Sequence, residues 1–439
     1  MASPQTRRDD GHAYVIRGGG PVGGTIVAGG NKNAALPMLA ATVLAGGPVR
    51  LDNVPEIRDV AVMLELLEQL GADVTATGEQ AWEIDASSLQ RLEADPDLTR
   101  QIRASFLLAG PLLARHGHAV LPRPGGDRIG RRPLDTHVHA LGSLGARVEV
   151  ERDQYVLSAG NGLHGADIFL EEMSVMATEN TVMAAVVADG RTVIRNAASE
   201  PHVQELCGLL CAMGSHIEGI GTNTLTVEGA AGPLRGAVRT VGPDPVEVGS
   251  FIGLAAVTGG ALRVVGARPR EHHRMTAIGF GRLGIRWQVD GDDIVLPAGQ
   301  ELVVQEELHG AIPKIDDGPW PAFPADLTSI AVVLATQARG TVLIHEKMFE
   351  SRLFWVDRLI SMGARLVLCD PHRVVVIGPA QLYGMEMASP DIRAGMALVI
   401  ASLCAEGESV IHNARQVERG YQRLPERLRA LGADIEIRE

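Results

Sequence analysis

The chain has 439 residues and a formal net charge of -13, and 46% of its residues are hydrophobic but only 3% aromatic. A chain of this length is expected to form two globular domains, each with a core of Ala, Leu, Val and Ile. The acidic balance argues against a nucleic-acid partner, because such surfaces need Lys and Arg to neutralise phosphates. It still permits a local cationic pocket for a small anion.

Redox and targeting features indicate the compartment. The four cysteines have neither CxxC nor zinc-ligand spacing, which favours a reducing environment. The N-terminal segment MASPQTRRDDGHAYV lacks the apolar core of a signal peptide, and no run approaches the roughly 18 apolar residues of a membrane span. Two histidine pairs, His137/His139 and His272/His273, lack further ligands at metal spacing. We therefore expect a cytoplasmic protein with no metal and no membrane partner.

Glycines mark a repeat along the chain. Six times, a Gly that opens a short apolar strand is followed about 23 to 28 residues later by a second Gly in a Leu-Gly or Met-Gly turn. Successive second glycines lie roughly 70 to 80 residues apart, so six copies of one unit account for nearly the whole length. The pairs are Gly47/Gly71, Gly117/Gly145, Gly190/Gly214, Gly260/Gly284, Gly340/Gly363 and Gly407/Gly432.

Periodicity predicts the order β-α-β-α-β-β within each unit. An Ala/Leu-rich helix ends at a Gly, an alternating strand such as RTVIRNA follows, and a second amphipathic helix such as VQELCGLLCAM leads into a strand pair. Helices of this kind need neighbouring units to cover them, so three units are expected to close into one α/β domain. The first strand, in the segment YVIRGGGPVGGTIVA, precedes unit one and is expected to pair with the last unit. The predicted domains are residues 1–31 plus 243–439, and residues 32–242.

The first departure from the repeat is the segment GGNKN at residues 29–33, directly before a helix. Backbone N–H groups at a helix start, together with a Lys, form an anion site. Three of the 40 basic residues are lysines, which favours a chemical role for Lys32. The alternative for the segment is a glycine turn with an Asn cap. The alternative for Lys32 is that it remains by chance in a sequence whose nucleotide composition favours Arg over Lys.

The second departure is the loop RPGGDRIGRRPLD at residues 123–135. Its glycines flank Asp127, and four arginines, Arg128, Arg131 and Arg132 among them, lie close to that carboxylate in sequence. This composition predicts a mobile, cationic loop around one carboxylate. A solvated basic loop without a chemical role is the alternative.

Carboxylate and arginine motifs follow in the C-terminal half. The prolines of WPAFPAD fix Asp326 at a helix start, where an N-cap is the alternative role. The junctions of the fifth and sixth units carry the segments FESR, DIR and ERGY. Isolated pairs of this kind are usually surface ion pairs that contribute little.

Taken in order, these segments resemble the UDP-N-acetylglucosamine 1-carboxyvinyltransferases, the enolpyruvyl transferases that start peptidoglycan precursor synthesis. The resemblance covers essentially the whole chain and includes GGNKNAALPMLAA, GGDRIGRRPLDTH, MSVMATEN, PAFPADL, FESRLFWV, DIRAGMAL and ERGYQRLPERLRALGA. It implies two inside-out, barrel-like α/β domains of three repeats each. It also implies transfer of the enolpyruvyl group of phosphoenolpyruvate to the sugar 3-hydroxyl, with release of phosphate and no cofactor.

The resemblance also assigns site residues. Lys32, Arg132 and Arg419 would hold the phosphate region, with Arg352 and Arg393, next to Asp391, near the carboxylate. Asp326 matches the carboxylate that takes the proton from the sugar hydroxyl. The positions that match nucleotide-sugar contacts are Asn33, Arg103, Pro133, Leu134, Asp135, Ser174, Val175 and Met348.

Asp127 stands where the family usually carries a Cys that protonates the methylene carbon. Some members carry Asp at this position, and fosfomycin, which alkylates the Cys, does not inactivate them. We therefore hypothesise that Asp127 is the general acid and that the protein is insensitive to fosfomycin. A donor must be protonated, whereas neighbouring arginines favour the carboxylate, and bound phosphoenolpyruvate would offset those cations.

Three departures from the family pattern bear on the acceptor. Glu172 replaces a Lys near the diphosphate, Met176 replaces a Gly, and the segment before PAFP is longer than usual. The bulk of Met176 either narrows the nucleotide pocket or fills a gap. Two alternatives therefore stay open: a paralogue that enolpyruvylates a different hydroxyl, and a catalytically silent nucleotide-sugar binder. The oligomeric state is left open.

Overall fold

The computed structural model describes residues 11–127, 129–230 and 232–439. Within these ranges the chain divides into two compact units. Unit 1 contains residues 11–29, 129–131 and 243–439, and unit 2 contains residues 30–127 and 132–242 apart from residue 231. Each unit therefore has its own core and its own set of candidate site residues.

The strands alternate with helices along both units. Unit 1 begins with β1 (Ala13–Arg17) and β2 (Gly24–Val27). The strands of unit 2 are β3 (Val49–Asp52), β4 (Asp73–Gly78), β5 (Ala81–Asp85), β6 (His118–Pro122), β7 (Arg147–Val150), β8 (Gln154–Ser158), β9 (Asp167–Phe169), β10 (Arg191–Arg195), β11 (His216–Glu218), β12 (Thr224–Glu228) and β13 (Val238–Thr240). Unit 1 continues with β14 (Leu262–Val265), β15 (Gln288–Asp290), β16 (Asp293–Leu296), β17 (Lys314–Asp316), β18 (Gly340–His345), β19 (Arg365–Asp370), β20 (Arg373–Gly378), β21 (Glu386–Ala388), β22 (Glu408–His412) and β23 (Asp434–Arg438).

The helices follow the same division. Unit 2 contains α1 (Lys32–Ala41), α2 (Arg58–Leu70), α3 (Pro96–Thr99), α4 (Ala109–His116), α5 (Asp135–Ser143), α6 (Val175–Ala185) and α7 (Pro201–Ala212). Unit 1 contains α8 (Pro245–Thr258), α9 (Pro269–His272), α10 (Arg274–Gly281), α11 (Thr328–Gln337), α12 (Val356–Ser361), α13 (Ile392–Cys404), α14 (Arg415–Glu418) and α15 (Leu424–Ala430). Short 3-10 segments lie at Thr42–Leu44, Arg103–Leu108, Leu308–Gly310 and Ala325–Leu327.

Each unit carries three sheets in its described residues. The strand orders in unit 2 are β13-β3-β5-β4, β6-β8-β7 and β11-β12-β10-β9. Those in unit 1 are β21-β22-β1-β23, β15-β16-β14-β2 and β17-β18-β20-β19. The third and fifth repeats follow the predicted β-α-β-α-β-β order, as β9-α6-β10-α7-β11-β12 and β17-α11-β18-α12-β19-β20.

Strand β1 lies between β22 and β23 and is antiparallel to both, with Tyr14 opposite Ile411 on one side and Ile437 on the other. This pairing confirms the prediction for Ala13–Arg17, which completes the last repeat. The prediction is wrong for Gly24–Val27, which forms the separate strand β2 and pairs with β14. Two strands lie next to the unit boundaries in the sequence. Strand β2 pairs in parallel with β14 inside unit 1, and β13 pairs in parallel with β3 inside unit 2. The first and fourth repeats have therefore exchanged a strand.

The buried helices explain the Ala/Leu-rich repeat pattern. In unit 1, α8, α11 and α13 pack against one another, and twelve of the thirteen residues of α13 are buried. A helix that is apolar on all sides is stable only inside a core. These three helices thus lie inside unit 1 and the sheets cover them, which is the inside-out arrangement expected for this domain.

The six second glycines of the repeat share one conformation. Their φ angles lie between +87° and +108°, in the left-handed region that glycine adopts without a Cβ clash. Gly71, for example, ends helix α2 as a left-handed C-cap. The repeat read from these positions is therefore confirmed as a repeated helix-to-strand turn.

None of the helices in the described part of the chain is both long and apolar enough to cross a bilayer.

Candidate active site

The strongest cluster of predicted site residues in unit 1 surrounds Asp326. This residue lies in the 3-10 turn that leads into α11, and its side chain is 28% exposed. Oδ1 accepts a hydrogen bond from Nη2 of Arg352 at 2.9 Å, and Oδ2 accepts one from Nε of Arg393 at 3.0 Å. Pro324, and not Asp326, is the N-cap of this turn. The two arginines therefore bind the carboxylate of a residue inside the turn.

Both arginines are buried, with 3% of the Arg352 side chain and 7% of the Arg393 side chain exposed. Arg393 lies over the ring of Tyr421 at 5.3 Å, and Arg352 lies over the ring of Phe349 at 5.0 Å. The alternative of ordinary surface ion pairs is therefore wrong for these positions.

Electrostatics keep the two guanidinium groups charged. Burial opposes the charge of Arg393, but Asp326, followed by Tyr421 and Asp244, outweighs it, so the pKa of Arg393 is raised. The pKa of Arg352 is raised in the same way, because Asp326 and Glu346 outweigh the burial. Two fixed positive charges thus lie beside one carboxylate.

Helix α13 places Arg393 at this point. Asp391 is its N-cap and accepts hydrogen bonds from the backbone N of Arg393 at 2.8 Å and of Ala394 at 2.9 Å. Arg419 follows α14, and its Nη1 donates to Oε1 of Gln416 at 3.1 Å. Met348, from the segment after β18, is 37% exposed.

In unit 2, the GGNKN segment forms a capped helix start. Asn31 is the N-cap of α1, and its Oδ1 accepts a hydrogen bond from the backbone N of Asn33 at 2.9 Å. Lys32 is buried, and its Nζ lies 2.7 Å from Oδ2 of Asp59 on α2. The Asn cap and an ion-paired lysine therefore occur together at one helix N-terminus.

The loop at residues 123–135 packs against the segment around Arg103. Nη2 of Arg132 donates to the backbone O of Asp127, and Nη2 of Arg103 donates to the backbone O of Arg132. Burial, and then the charge of Arg132, lowers the pKa of Arg103 to about 10. Arg103 therefore remains a cation at neutral pH. Arg128 lies outside the described residues.

The predicted nucleotide-sugar positions lie at helix starts of unit 2. Ser174 is the N-cap of α6, which begins at Val175, and α5 begins at Asp135 after exposed Pro133 and buried Leu134. Glu172 is exposed. Met176 packs against the hydrophobic core of unit 2.

Four residues beside the predicted ones were not identified from the sequence. They are Asp59 beside Lys32, Tyr421 beneath Arg393, and the buried Glu346 and Asp317 behind Arg352. Asp59 and Lys32 lie on different helices, so no local spacing connects them. Tyr421 lies inside the motif ERGYQRLPERLRALGA, and that position is the one signal that could have indicated it.

Comparison with known proteins identifies the class that these features define. A family model described as EPSP synthase (3-phosphoshikimate 1-carboxyvinyltransferase) matches residues 16–428. The enolpyruvyl transferase NikO from Streptomyces tendae has a similar structure, with a TM-score of 0.86 and 25% identity over 97% of this chain and 99% of that one. The predicted enolpyruvyl transferase fold is thereby confirmed.

Curated relatives are more similar in sequence. The UDP-N-acetylglucosamine 1-carboxyvinyltransferase of Treponema denticola is 56% identical over 428 residues, which cover 98% of this chain and 100% of that protein. The protein of the same name from Bradyrhizobium diazoefficiens is 56% identical over 422 residues, or 96% of this chain and 97% of that protein. The chain therefore belongs to the EPSP synthase (3-phosphoshikimate 1-carboxyvinyltransferase) family, and the resemblance found in the sequence is confirmed.

Proposed function

We propose that this chain transfers the enolpyruvyl group of phosphoenolpyruvate to the 3-hydroxyl of UDP-N-acetylglucosamine and releases phosphate. This is the first committed step of peptidoglycan precursor synthesis, and it takes place in the cytoplasm. The observation that carries the proposal is the convergence of two buried arginines on the partly exposed Asp326. The full-length similarity to relatives that carry this name supports the same reaction.

Arg352 and Arg393 bind the carboxylate of phosphoenolpyruvate. Each has a buried Nη1 for which the described residues offer no hydrogen-bond partner. Leaving such a donor unpaired costs roughly 1 to 3 kcal/mol or more. A planar carboxylate matches the fork of an arginine and would satisfy these donors.

The phosphate of phosphoenolpyruvate is bound by Lys32, Arg132 and Arg419. Lys32 acts from the first position of α1, where the helix dipole also favours an anion. Asp59 fixes its ammonium group before the substrate binds. Fixed cations stabilise the charge that develops on the departing phosphate, because they need no reorganisation during the reaction.

The reaction begins with a proton transfer to the methylene carbon of phosphoenolpyruvate, which makes the neighbouring carbon electrophilic. Asp127 is the acid that supplies this proton. The sugar 3-hydroxyl then attacks: its O–H bond breaks, a new C–O bond forms, and Asp326 accepts the proton. The ionised Asp127 then takes a proton back from the new methyl group, the electron pair of that C–H bond restores the double bond, and the C–O bond to phosphate breaks with release of phosphate.

Unit 2 binds the nucleotide sugar through Asn33, Arg103 and the starts of α5 and α6. The residues at these starts are Pro133, Leu134, Asp135, Ser174 and Val175. Met348 is the further position that the family resemblance assigns to the nucleotide sugar. Met176 packs against the hydrophobic core. This contact favours the interpretation that its side chain fills a gap, rather than the one in which it narrows the nucleotide pocket. The acceptor expected for the relatives is therefore compatible with this substitution.

A phosphate-release assay tests this function. The purified protein is incubated with phosphoenolpyruvate and UDP-N-acetylglucosamine, UMP or shikimate 3-phosphate in parallel. We expect phosphate release with UDP-N-acetylglucosamine as the acceptor and none with UMP or shikimate 3-phosphate. Release with another acceptor would indicate a paralogous transferase, and binding of the nucleotide sugar without any release would indicate a silent binder.

A further inference from the structure

Two buried carboxyl groups lie behind the arginine that contacts Asp326. Strands β17 and β18 are parallel, and their last register pair is Asp316 opposite His345. The residue after β17 is Asp317, which is 1% exposed, and the residue after β18 is Glu346, which is 0% exposed. Since opposite positions of neighbouring parallel strands face the same side, the two carboxyl groups are neighbours on the buried face.

Asp317 is held by backbone donors. Its carboxylate accepts hydrogen bonds from the backbone N of Lys347 and from that of Met348, the latter at 3.3 Å. Its own backbone N donates to the carbonyl of His345 at 3.3 Å. These two backbone N–H donors fix the position of the Asp317 carboxyl group.

Glu346 has a different environment. Its Oε2 lies 3.7 Å from Nε of Arg352, and neither of its carboxyl oxygens has a hydrogen-bond partner of good geometry among the described residues. Two charged or titratable side chains face the carboxyl group of Glu346: Arg352, from the segment after β18, and Asp317, directly after β17. Thr328 at the start of α11 also faces it, and the His372 ring is hydrogen-bonded to the backbone O of Glu346. Arg352 also forms an ion pair with Asp326, and this contact is shorter, at 2.9 Å.

These contacts restrict the number of protons on the pair. Two ionised carboxylates would place two buried negative charges beside one arginine that already serves Asp326, which is electrostatically unfavourable. Two neutral acids would weaken the charge-assisted bonds from Lys347 and Met348.

We propose that Asp317 and Glu346 hold one proton, that Glu346 carries it as the neutral acid, and that this pair positions Arg352 on Asp326. Glu346 is thus a positioning residue. As a neutral acid, Glu346 packs against Nε of Arg352 and holds the guanidinium group in place. Because it carries no charge, it does not attract the guanidinium group away from Asp326. The kinetic consequence rests on the proposed function, whereas the shared proton does not.

The surroundings of Glu346 favour its neutral form. Burial, with a further contribution from Asp317 and against the effect of Arg352, raises the pKa of Glu346 to about 9. The ordinary value in an unfolded chain is about 4.3. Between these values the folded protein retains a proton that the unfolded chain releases, so this group lowers the stability of the wild type as pH rises from about 4.3 to about 9.

The first test measures melting temperatures of the wild type and Glu346→Gln between pH 5 and pH 9, without substrates. The amide imitates the neutral acid and cannot ionise, so we expect its melting temperature relative to the wild type to increase steadily with pH. Glu306→Gln, at an exposed position of unit 1, is the control and should show a constant difference. A constant difference for Glu346→Gln as well would overturn the shared proton, whatever the enzyme activity.

The second test measures kcat and KM for phosphoenolpyruvate. We expect Glu346→Gln to stay within about twofold of the wild type at pH 7, because it keeps the support behind Arg352. Glu346→Ala should raise KM about tenfold with a smaller change in kcat, because it removes the buried polar group 3.7 Å from Nε of Arg352. The wild-type KM should rise above pH 9, and that of Glu346→Gln should not. Equal KM values for all three proteins at every pH would overturn the positioning role.

Discussion

The two carboxylates proposed to transfer protons are held in opposite ways. In unit 1, both oxygens of Asp326 accept hydrogen bonds from buried arginines that come from two other segments. In unit 2, Asp127 lies in a glycine-rich loop whose path is fixed through backbone carbonyls, which accept hydrogen bonds from Arg132 and Arg103. The base is therefore preorganised by side-chain ion pairs, and the acid is positioned by the course of its loop.

This difference suits the two chemical tasks. A base that receives a proton from a bound hydroxyl benefits from a fixed direction, and the same arginines can share the carboxylate of the substrate. An acid that donates to a carbon must lie close to that carbon, and the course of its loop determines this distance. Variants that act on one carboxylate or on its support should therefore have distinguishable effects.

The largest effect is expected for Asp326→Asn. An amide cannot accept the hydroxyl proton, so kcat should fall roughly a thousandfold, within the usual range for general acid–base catalysis. Phosphate release at saturating substrate measures this change. Asp316→Asn, which removes the partner of exposed Lys347, is the matched control and should retain most of the activity. A decrease of less than tenfold for Asp326→Asn would mean that another group takes the proton.

The next largest effect is expected for Asp127→Ala. Loss of the acid should lower kcat about a hundredfold while the anchored site in unit 1 stays intact. Asp127→Cys should restore part of the activity, because a thiol can also donate a proton. It should also gain covalent modification by fosfomycin, measured as an intact-mass increase. Modification of the wild-type protein would contradict the assigned role of Asp127 and the expected insensitivity.

A third variant tests the anchored cation of unit 2. Asp59→Asn leaves buried Lys32 without its carboxylate, and breaking a buried pair in this way costs about 3 kcal/mol of unfolding free energy. Urea unfolding measures the loss. Asp97→Asn, whose carboxylate is 93% exposed, should change stability by less than about 1 kcal/mol. Equal stability of the two variants would show that the buried pair adds nothing.

The smallest effect is expected for Gly126→Ala, which disturbs the loop alone. Gly126 has φ +106°, and an added Cβ would lie 2.8 Å from Cβ of Arg103. The strain of about 1 to 2 kcal/mol should displace the loop and lower kcat about tenfold. Gly142→Ala is the control, because no atom lies within 4 Å of its added Cβ. Unchanged kcat for Gly126→Ala would mean that the course of the loop does not position the acid.

Sequence reasoning was most successful where the signal is local. The six glycine turns and the Asn31 cap follow from local backbone conformation and periodicity, and the structure confirms both. The composition of the Asp127 loop indicated a cationic segment for a similar reason. These features depend on residues close together in the chain.

Contacts between distant segments were not predictable in the same way. Lys32 meets Asp59 because α1 packs on α2, and Glu346 meets Asp317 because two parallel strands share a register. The motif around Asp326 allowed a cap as well as a base, since spacing alone does not show which side chain reaches it. The tertiary packing decides such cases.

The most direct measurement is the mass of the product formed in heavy water from phosphoenolpyruvate and UDP-N-acetylglucosamine. If the methylene carbon is protonated before the double bond is restored, part of the product should be one mass unit heavier, with the deuterium on the vinyl carbon. The same deuterium should appear far more slowly with Asp127→Ala. A product without deuterium, or no product at all, would contradict the proposed proton transfers.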